Sequence, residues 1–352
     1  MSLMLDEIRQ QPGVLERLSR RPPDGLAHLR RRFARRGPAI AVIVARGTSD
    51  NAALFGRYLF EVALEFPTML AAPSVANLYG RLALPREALI IGISQSGEST
   101  DINGFMEAAK RHGALCVAIT NNSGSPLAAM ADEVLLTEAG VERSVAATKT
   151  YTSQMMALYW LAVALGAPIT APDLRAVARA SKSAVERESH IAAVVEHHRN
   201  ISHAAVIGRG VNYGNGLELA LKLMETSYVV ACGFAGADFA HGPIAMVGTG
   251  FPVFAFCPPG PTSGQTSALL DRLRQTGADT VAIGAQGGLG GVKARHTIEV
   301  EVPAPNTPGL PTDILSPIPL VIPGQTFAAR LAEAKGLDPD RPRSLTKVTR
   351  TL

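Results

Sequence analysis

The sequence predicts an α/β protein built from two copies of one domain, each a parallel sheet flanked by helices, with a C-terminal tail. Three observations carry this. Short, continuously apolar runs end in glycine- and serine-rich turns, the pattern of strands buried on both faces. Helical periodicity follows these runs, so strands and helices alternate. The alternation then recurs: Arg46-Gly47 reappears as Arg209-Gly210, an offset of 163, and His112-Gly113-Ala114 as Thr276-Gly277-Ala278, an offset of 164. Two matches at nearly one spacing point to a duplicated unit.

The elements follow in order. Residues 1–27 form an N-terminal helical segment. It turns acidic early, at Asp6 and Glu7, and shows no basic-then-apolar leader pattern. Eight arginines between Arg17 and Arg36 carry much of the net charge of +4. Phe33 is the one ring of Phe, Tyr or Trp among them, too little aromatic interleaving for a nucleic-acid surface, so a solvated helix face is expected and a nucleic-acid partner is not. The first copy spans 28–168. Its strands are Ala39–Ala45, Ala88–Ser94, Ala114–Thr120 and Glu133–Leu136, and its helices Asn51–Glu65 and Thr100–His112, the latter stopped by Gly113. Residues 169–195 form a helical linker. The second copy spans 196–325, opening on the strand at His203–Gly208 and its helix at Gly216–Ser227. The tail is 326–352. Hydrophobic residues at 47% and charged ones at 18% suit packed cores rather than disorder. The apolar runs fall well short of the roughly 20 residues a membrane span needs. Cys116, Cys232 and Cys257 are scattered, with no metal-ligand or redox spacing, which fits a cytoplasmic protein; Cys116 reads as a core residue.

The loop Ser94-Gln95-Ser96-Gly97-Glu98-Ser99 lies between a buried strand and a helix start, where open α/β sheets bind ligands. Helix-start N–H groups favour an anion, Gly97 permits close backbone approach, and the hydroxyls and the Gln95 amide add neutral donors. With no lysine in the loop, it suits a small phosphate rather than a magnesium triphosphate. A plain serine-capped helix start fits the same residues. Thr48 and Ser49 occupy the matching turn after the first strand. The equivalent loop of the second copy begins Cys257-Pro258-Pro259-Gly260, and its prolines remove donors. One phosphate site per chain is therefore expected, in the first copy, although Thr262, Ser263, Thr266 and Ser267 supply hydroxyls in the second.

Glu218, Lys222 and Glu225 recur at i, i+4 and i+7 on one face of the helix at Gly216–Ser227. A surface ion pair accounts for that spacing. So does proton-transfer chemistry, with a carboxylate base beside a cation that steadies developing negative charge. His241, in His241-Gly242-Pro243, and Lys347, near the C-terminus, are not singled out by spacing.

Taken in order, Arg46-Gly47-Thr48-Ser49, Ser94 to Ser99, Val145-Ala146-Ala147-Thr148-Lys149, the Glu218/Lys222/Glu225 set, His241-Gly242-Pro243 and Leu345-Thr346-Lys347 resemble the double sugar isomerase (SIS) domain family. The likeness is to the isomerase half of glucosamine-6-phosphate synthases. In Ser144–Lys149 and the ending Leu345-x-Lys347-Val348-Thr349 it is more closely to stand-alone SIS-type glucosamine-6-phosphate deaminases. It covers essentially the whole sequence. Two tandem SIS domains, each flavodoxin-like, are implied.

The resemblance implies roles residue by residue. Ser49, Ser94, Gln95, Ser96 and Ser99 bind the phosphate, with Thr48 beside the sugar. Val145 and Ala147 line the site through backbone groups, and Thr346 meets the sugar hydroxyls. Glu225 moves the proton between C1 and C2, supported by Lys222 and Glu218. His241 assists ring opening from a second subunit of a homodimer, and Lys347 closes over the sugar, able to form a Schiff base with the ketose. The implied reaction is conversion of glucosamine 6-phosphate to fructose 6-phosphate with release of ammonia, with no cofactor, metal or membrane partner. No cysteine precedes Cys116, so glutamine hydrolysis is not expected. Ala147, Ala240 and Arg46 depart from the synthase pattern, which has serine, lysine and cysteine there. Galactosamine 6-phosphate or a fructosamine phosphate therefore stay open as substrates, and a non-catalytic sugar-phosphate sensor as another role.

Overall fold

Ten strands and the helices between them form two five-stranded sheets in the computed structural model, which describes residues 2–85, 87–289 and 291–347. The first sheet contains β1 (Ile40–Val44), β2 (Thr68–Leu70), β3 (Ala88–Ile93), β4 (Leu115–Thr120) and β5 (Glu133–Leu136) in the order β2-β1-β3-β4-β5. The second contains β6 (His203–Gly208), β7 (Val230–Ala235), β8 (Pro252–Cys257), β9 (Asp279–Ala285) and β10 (His296–Val300) in the order β10-β9-β8-β6-β7. All pairings are parallel. Counted from its own first strand, each sheet has the order 2-1-3-4-5 of a doubly wound fold. Strand starts at 40, 88 and 115 match starts at 203, 252 and 279, so the repeat seen in the sequence is a repeat of structure.

The central strands are buried along their length, which is why they read as unbroken apolar runs: β3 and β4 are buried at every position, as are β8 and β9. Cys116 and Cys257 sit inside this packing, and burial pushes both thiols up to about 12.

Two compact units emerge. Among the described residues, one comprises Val14–Glu142, Lys149–Ala171, Thr346 and Lys347; the other comprises the residues from Ser2 to Gly13, Arg143–Thr148 and Pro172–Leu345. The helices Ala171–Glu186 and Glu188–His198, read in the sequence as a linker, therefore fall almost wholly in the second unit, and Glu188–His198 packs against the helix Pro317–Ala334. The start of the tail at 326 is also corrected, because it falls inside that same helix. Ile318, Leu320, Val321, Ile322, Phe327, Ala328, Ala329 and Leu331 are fully buried, so apolar burial carries the helix straight through the boundary. Val348 and Thr349 of the tail motif lie outside the described residues. Among the described residues no helix is long and apolar enough to cross a membrane.

Candidate functional site

In the first unit, β1 and β3 are neighbours, with Val44 opposite Gly92, so the segments leaving their carboxyl ends lie side by side at the point where strand order reverses. Thr48 and Ser49 leave β1 and Ser94–Ser99 leave β3. The expected helix at Asn51–Glu65 starts earlier, at Thr48, which makes Thr48 and Ser49 its first two residues rather than loop residues. Gly47 permits this: at φ 56 it turns the chain from strand to helix within one residue. Ser49 is buried and its hydroxyl accepts a hydrogen bond from Gln154 Nε2 at 3.0 Å. Gln154 belongs to the helix Lys149–Leu165, which packs on Thr48–Leu64 with the Phe55 and Tyr159 rings 5.1 Å apart.

The Ser94–Ser99 loop is held by its own hydroxyls. Gly97 N–H donates to Ser94 Oγ at 3.1 Å and Glu98 N–H to Ser96 Oγ at 3.2 Å. A hydroxyl that accepts from the backbone keeps its own proton to donate. The Gln95 carbonyl accepts from Asn121 N–H at 3.1 Å and the Gly97 carbonyl from Leu127 N–H at 3.2 Å, which ties the loop to the segment after β4. Gly97 has φ +70, and a Cβ there would stand 2.2 Å from Ser125 Oγ; no larger residue fits. Ser99 is the N-cap residue of the helix Thr100–Arg111, yet its side chain makes no cap hydrogen bond, so the plain capping account does not explain it. The arrangement suits a small anion received by hydroxyls at a helix start.

Gln95 also lines an open cleft of about 540 Å³ with Asn121, Glu138, Gly140, Val141 and Glu142. Glu142, which sequence reasoning missed, is the hub of this region. Its buried carboxylate accepts from Thr150 N–H at 3.1 Å, from Thr150 Oγ1 at 2.7 Å and from Lys347 Nζ at 2.8 Å. Lys347 is thus a held side chain, one-quarter exposed, rather than a solvated tail lysine. Its neighbour Thr346 is exposed. A lone glutamate in a loop carries no sequence signal for such a role.

In the second unit the helix starts at Tyr213, earlier than the expected Gly216, and runs to Ser227. It lies hard against β6: a Cβ on Gly216 would come within 2.8 Å of Gly208 N. Glu218 and Lys222 are buried, so they do not form the surface pair that spacing alone allows. Lys222 Nζ lies 2.5 Å from Glu225 Oε2 and 3.5 Å from Glu218 Oε1. Glu225 alone of the three keeps solvent access, at 21%. One ammonium thus neutralises a buried carboxylate and orients an accessible one, a layout suited to a general base next to a cation.

Val145 and Ala147 are half-buried, and Val145 N–H donates to the Asp340 carbonyl at 3.2 Å. That amide is therefore engaged within its own unit. His241 ends the short helix Gly236–Ala240. It is exposed on a separate cleft of about 350 Å³ that Arg209 and Arg272 also line. Among the described residues the one group of three metal-ligating side chains within reach of each other is elsewhere, at His197, Asp279 and His296.

The SIS domain family profile matches residues 40–164 and 199–304, one segment per sheet. Over 307 residues, 86% of this chain, the sequence is 37% identical to glutamine–fructose-6-phosphate aminotransferase (isomerizing) of Methanothermobacter thermautotrophicus, of which 50% is matched. The chain spans about half the length of the curated relatives it matches. Among solved structures, the C-terminal domain of glucosamine-fructose-6-phosphate aminotransferase from Francisella tularensis superposes with a TM-score of 0.86 at 25% identity, covering 97% of this chain and 98% of that one. Glucosamine-6-phosphate deaminase from Thermotoga maritima shares the fold, with a TM-score of 0.81 at 22% identity over 99% of this chain and 100% of that one.

Proposed function

The chain belongs to the SIS domain family, and from that premise we propose that it is a phosphosugar isomerase that converts glucosamine 6-phosphate to fructose 6-phosphate with release of ammonia. The observation that carries the reading is the Lys222 ammonium, buried between Glu218 and the accessible Glu225. A sensor needs no charged group in that position. An isomerase needs a base that can serve two adjacent carbons and a cation that steadies the charge between them.

In this reading Ser94, Ser96 and Ser99, with Gln95, Thr48 and Ser49, hold the phosphate. The open-chain aldose presents C2 to the Glu225 carboxylate, which removes the C2 proton while the C1 oxygen gains one, giving a C1–C2 enolamine. Lys222, kept charged between its two carboxylates, stabilises the build-up of negative charge. Glu225 returns the proton to C1, which leaves an iminium at C2. Water adds to the iminium carbon, and ammonia departs with release of a proton that balances the one gained by the C1 oxygen, leaving the ketose. His241 assists ring opening from a second copy of the chain. Lys347, held by Glu142 beside the cleft that Gln95 lines, closes over the sugar. Support comes from the matched family and from the names of the relatives, an aminotransferase that isomerises a hexose phosphate among them.

Incubation with glucosamine 6-phosphate is expected to yield fructose 6-phosphate and ammonia in equal amounts. Replacing Glu225 by Gln is expected to lower kcat by about 100-fold or more, the scale of a lost general base, with the affinity for the sugar phosphate retained. Absence of both products with the parent chain removes the reading. Interconversion of aldose and ketose without ammonia keeps the isomerase and removes the deamination.

A further inference from the structure

At the amino ends of β9 and β10, opposite the strand ends that carry ligands in this fold, three histidines and an aspartate converge. His197 and His198 close the helix Glu188–His198, Asp279 opens β9 and His296 opens β10. The rings meet edge-on or tilted, with centroids 4.8 to 5.3 Å apart among His197, His198 and His296. Asp279 sits between them: its Oδ2 is 3.1 Å from His197 Nε2 and 3.4 Å from His198 Nε2, and its Oδ1 is 4.0 Å from His296 Nε2.

We propose that His197, Asp279 and His296 form a binding site for a divalent transition metal, with His198 alongside as a further imidazole donor. Two independent features support it. First, donor atoms of His197, Asp279 and His296 all lie within 4.8 Å of one another. Zinc bonds of about 2.0–2.2 Å place tetrahedral ligand atoms roughly 3.3 Å apart, so the widest pair closes by about 1.5 Å. Second, His198 Nε2, Asp279 Oδ1 and His296 Nε2 are buried without a hydrogen-bond partner. Three such atoms at one spot are costly unless something bridges them.

The tautomer of His198 sharpens the case. Its Nδ1 is 2.8 Å from the Val194 carbonyl, which can only accept, so Nδ1 carries the proton. In the neutral ring Nε2 is then a bare lone pair facing a carboxylate oxygen. A second ring nitrogen fixed by a backbone carbonyl is how metal-bound histidines are usually oriented. His197 ligates through Nε2 once its proton moves to Nδ1. The Arg295 guanidinium, 3.8 Å from Asp279 Oδ1, is the competing cation, but it is more than half exposed and free to swing away. With His197 exposed, His296 half-buried and Asp279 buried, the site is reachable from solvent and would clamp the helix Glu188–His198 to two strands.

The test uses the untagged full chain, stripped with chelator and titrated with Zn(II) alone by calorimetry, then with Co(II), whose visible spectrum reports ligand geometry. One equivalent per chain is expected to bind and to raise Tm. His197→Ala, at an exposed position expected to fold normally, and His296→Ala are each expected to weaken binding at least tenfold. His112→Ala, in the other unit, is expected to change nothing. Absence of saturable binding overturns the proposal, and so does equal affinity in the His197→Ala and His296→Ala variants; the cluster is then bridged by protons alone.

Discussion

Glu218 and Glu225 are chemically identical and share a helix face, yet the structure gives them different surroundings. Glu218 is fully buried and Glu225 keeps a window to solvent, with Lys222 Nζ between them. Replacing Lys222 by Met removes the ammonium and leaves the Glu218 carboxylate without this partner in a dry interior. Breaking a buried pair from one side typically costs about 3–5 kcal/mol. Urea unfolding of Lys222→Met is expected to show a loss of that order, whereas Glu225→Gln, at the accessible end, should lose under about 1 kcal/mol. Equal stability of Lys222→Met and the parent chain would mean that the ammonium is not the counter-charge of Glu218. The triad was legible in the sequence as a spacing but not as a burial, since i, i+4, i+7 also describes a solvated face. The serine loop was legible as glycine and hydroxyl residues between a strand and a helix, a pattern that a serine cap fits equally, and the family resemblance is what singled it out as a phosphate seat. Glu142 was not, because its partners come from Thr150 and Lys347, one of them 205 residues away.

At the level of elements, β1, β3, β4, β5 and β6 and the helices that follow β1, β3 and β6 came from apolar runs and periodicity, whereas β2, β7 and the helix Pro317–Ala334, which the sequence reading cut at 326, did not. Both of these strands are edge strands, paired on one side only. β2 has just three residues, and β7, Val230-Ala231-Cys232-Gly233-Phe234-Ala235, is apolar but interrupted by Gly233 and only partly buried. Long-range ionic ties between helices were equally hidden. Glu188 opens the helix Glu188–His198 and accepts from Arg9 at 2.7 and 3.0 Å and from Arg330, joining three helices of the second unit. The hydrogen bond from Arg9 holds the Glu188 carboxyl below its usual value of 4.5, with the Arg330 hydrogen bond and charge adding to it. A carboxyl whose folded value is depressed contributes stability that is complete above the unfolded value and is lost as pH falls through the folded one. Unfolding free energy should therefore be flat in this contribution near neutral pH and decline below about pH 4.5. Glu188→Gln should be less stable at pH 7 and show a shallower acid decline. Parallel curves for the two chains between pH 7 and 3 would assign the acid sensitivity to other carboxyls.

Across the whole chain, duplication supplies two sheets of one topology, but the loops at their switch points have diverged. After β3, the loop hydroxyls accept from backbone N–H groups and keep protons to offer. After β8, Pro258 and Pro259 carry no N–H, the Ser263 hydroxyl donates to the Gly260 carbonyl at 2.8 Å and the Thr266 hydroxyl to the Thr262 carbonyl at 3.0 Å. Gly260, at φ +99, leaves no room for a Cβ beside Thr312 Oγ1, 2.6 Å away, so this turn is packed against its own chain. The same fold position therefore offers donors in one copy and, at Ser263 and Thr266, spends them in the other. Equilibrium dialysis with a hexose 6-phosphate is expected to saturate at one equivalent per chain. Ser94→Ala with Ser96→Ala should weaken that binding by at least tenfold, while Ser263→Ala with Thr266→Ala should leave it unchanged. The cleft shared by Arg209, Arg272 and His241 is the rival anion seat in the second unit. A second equivalent that disappears in Arg272→Ala would show that both copies bind anions and that divergence moved the second seat rather than removing it.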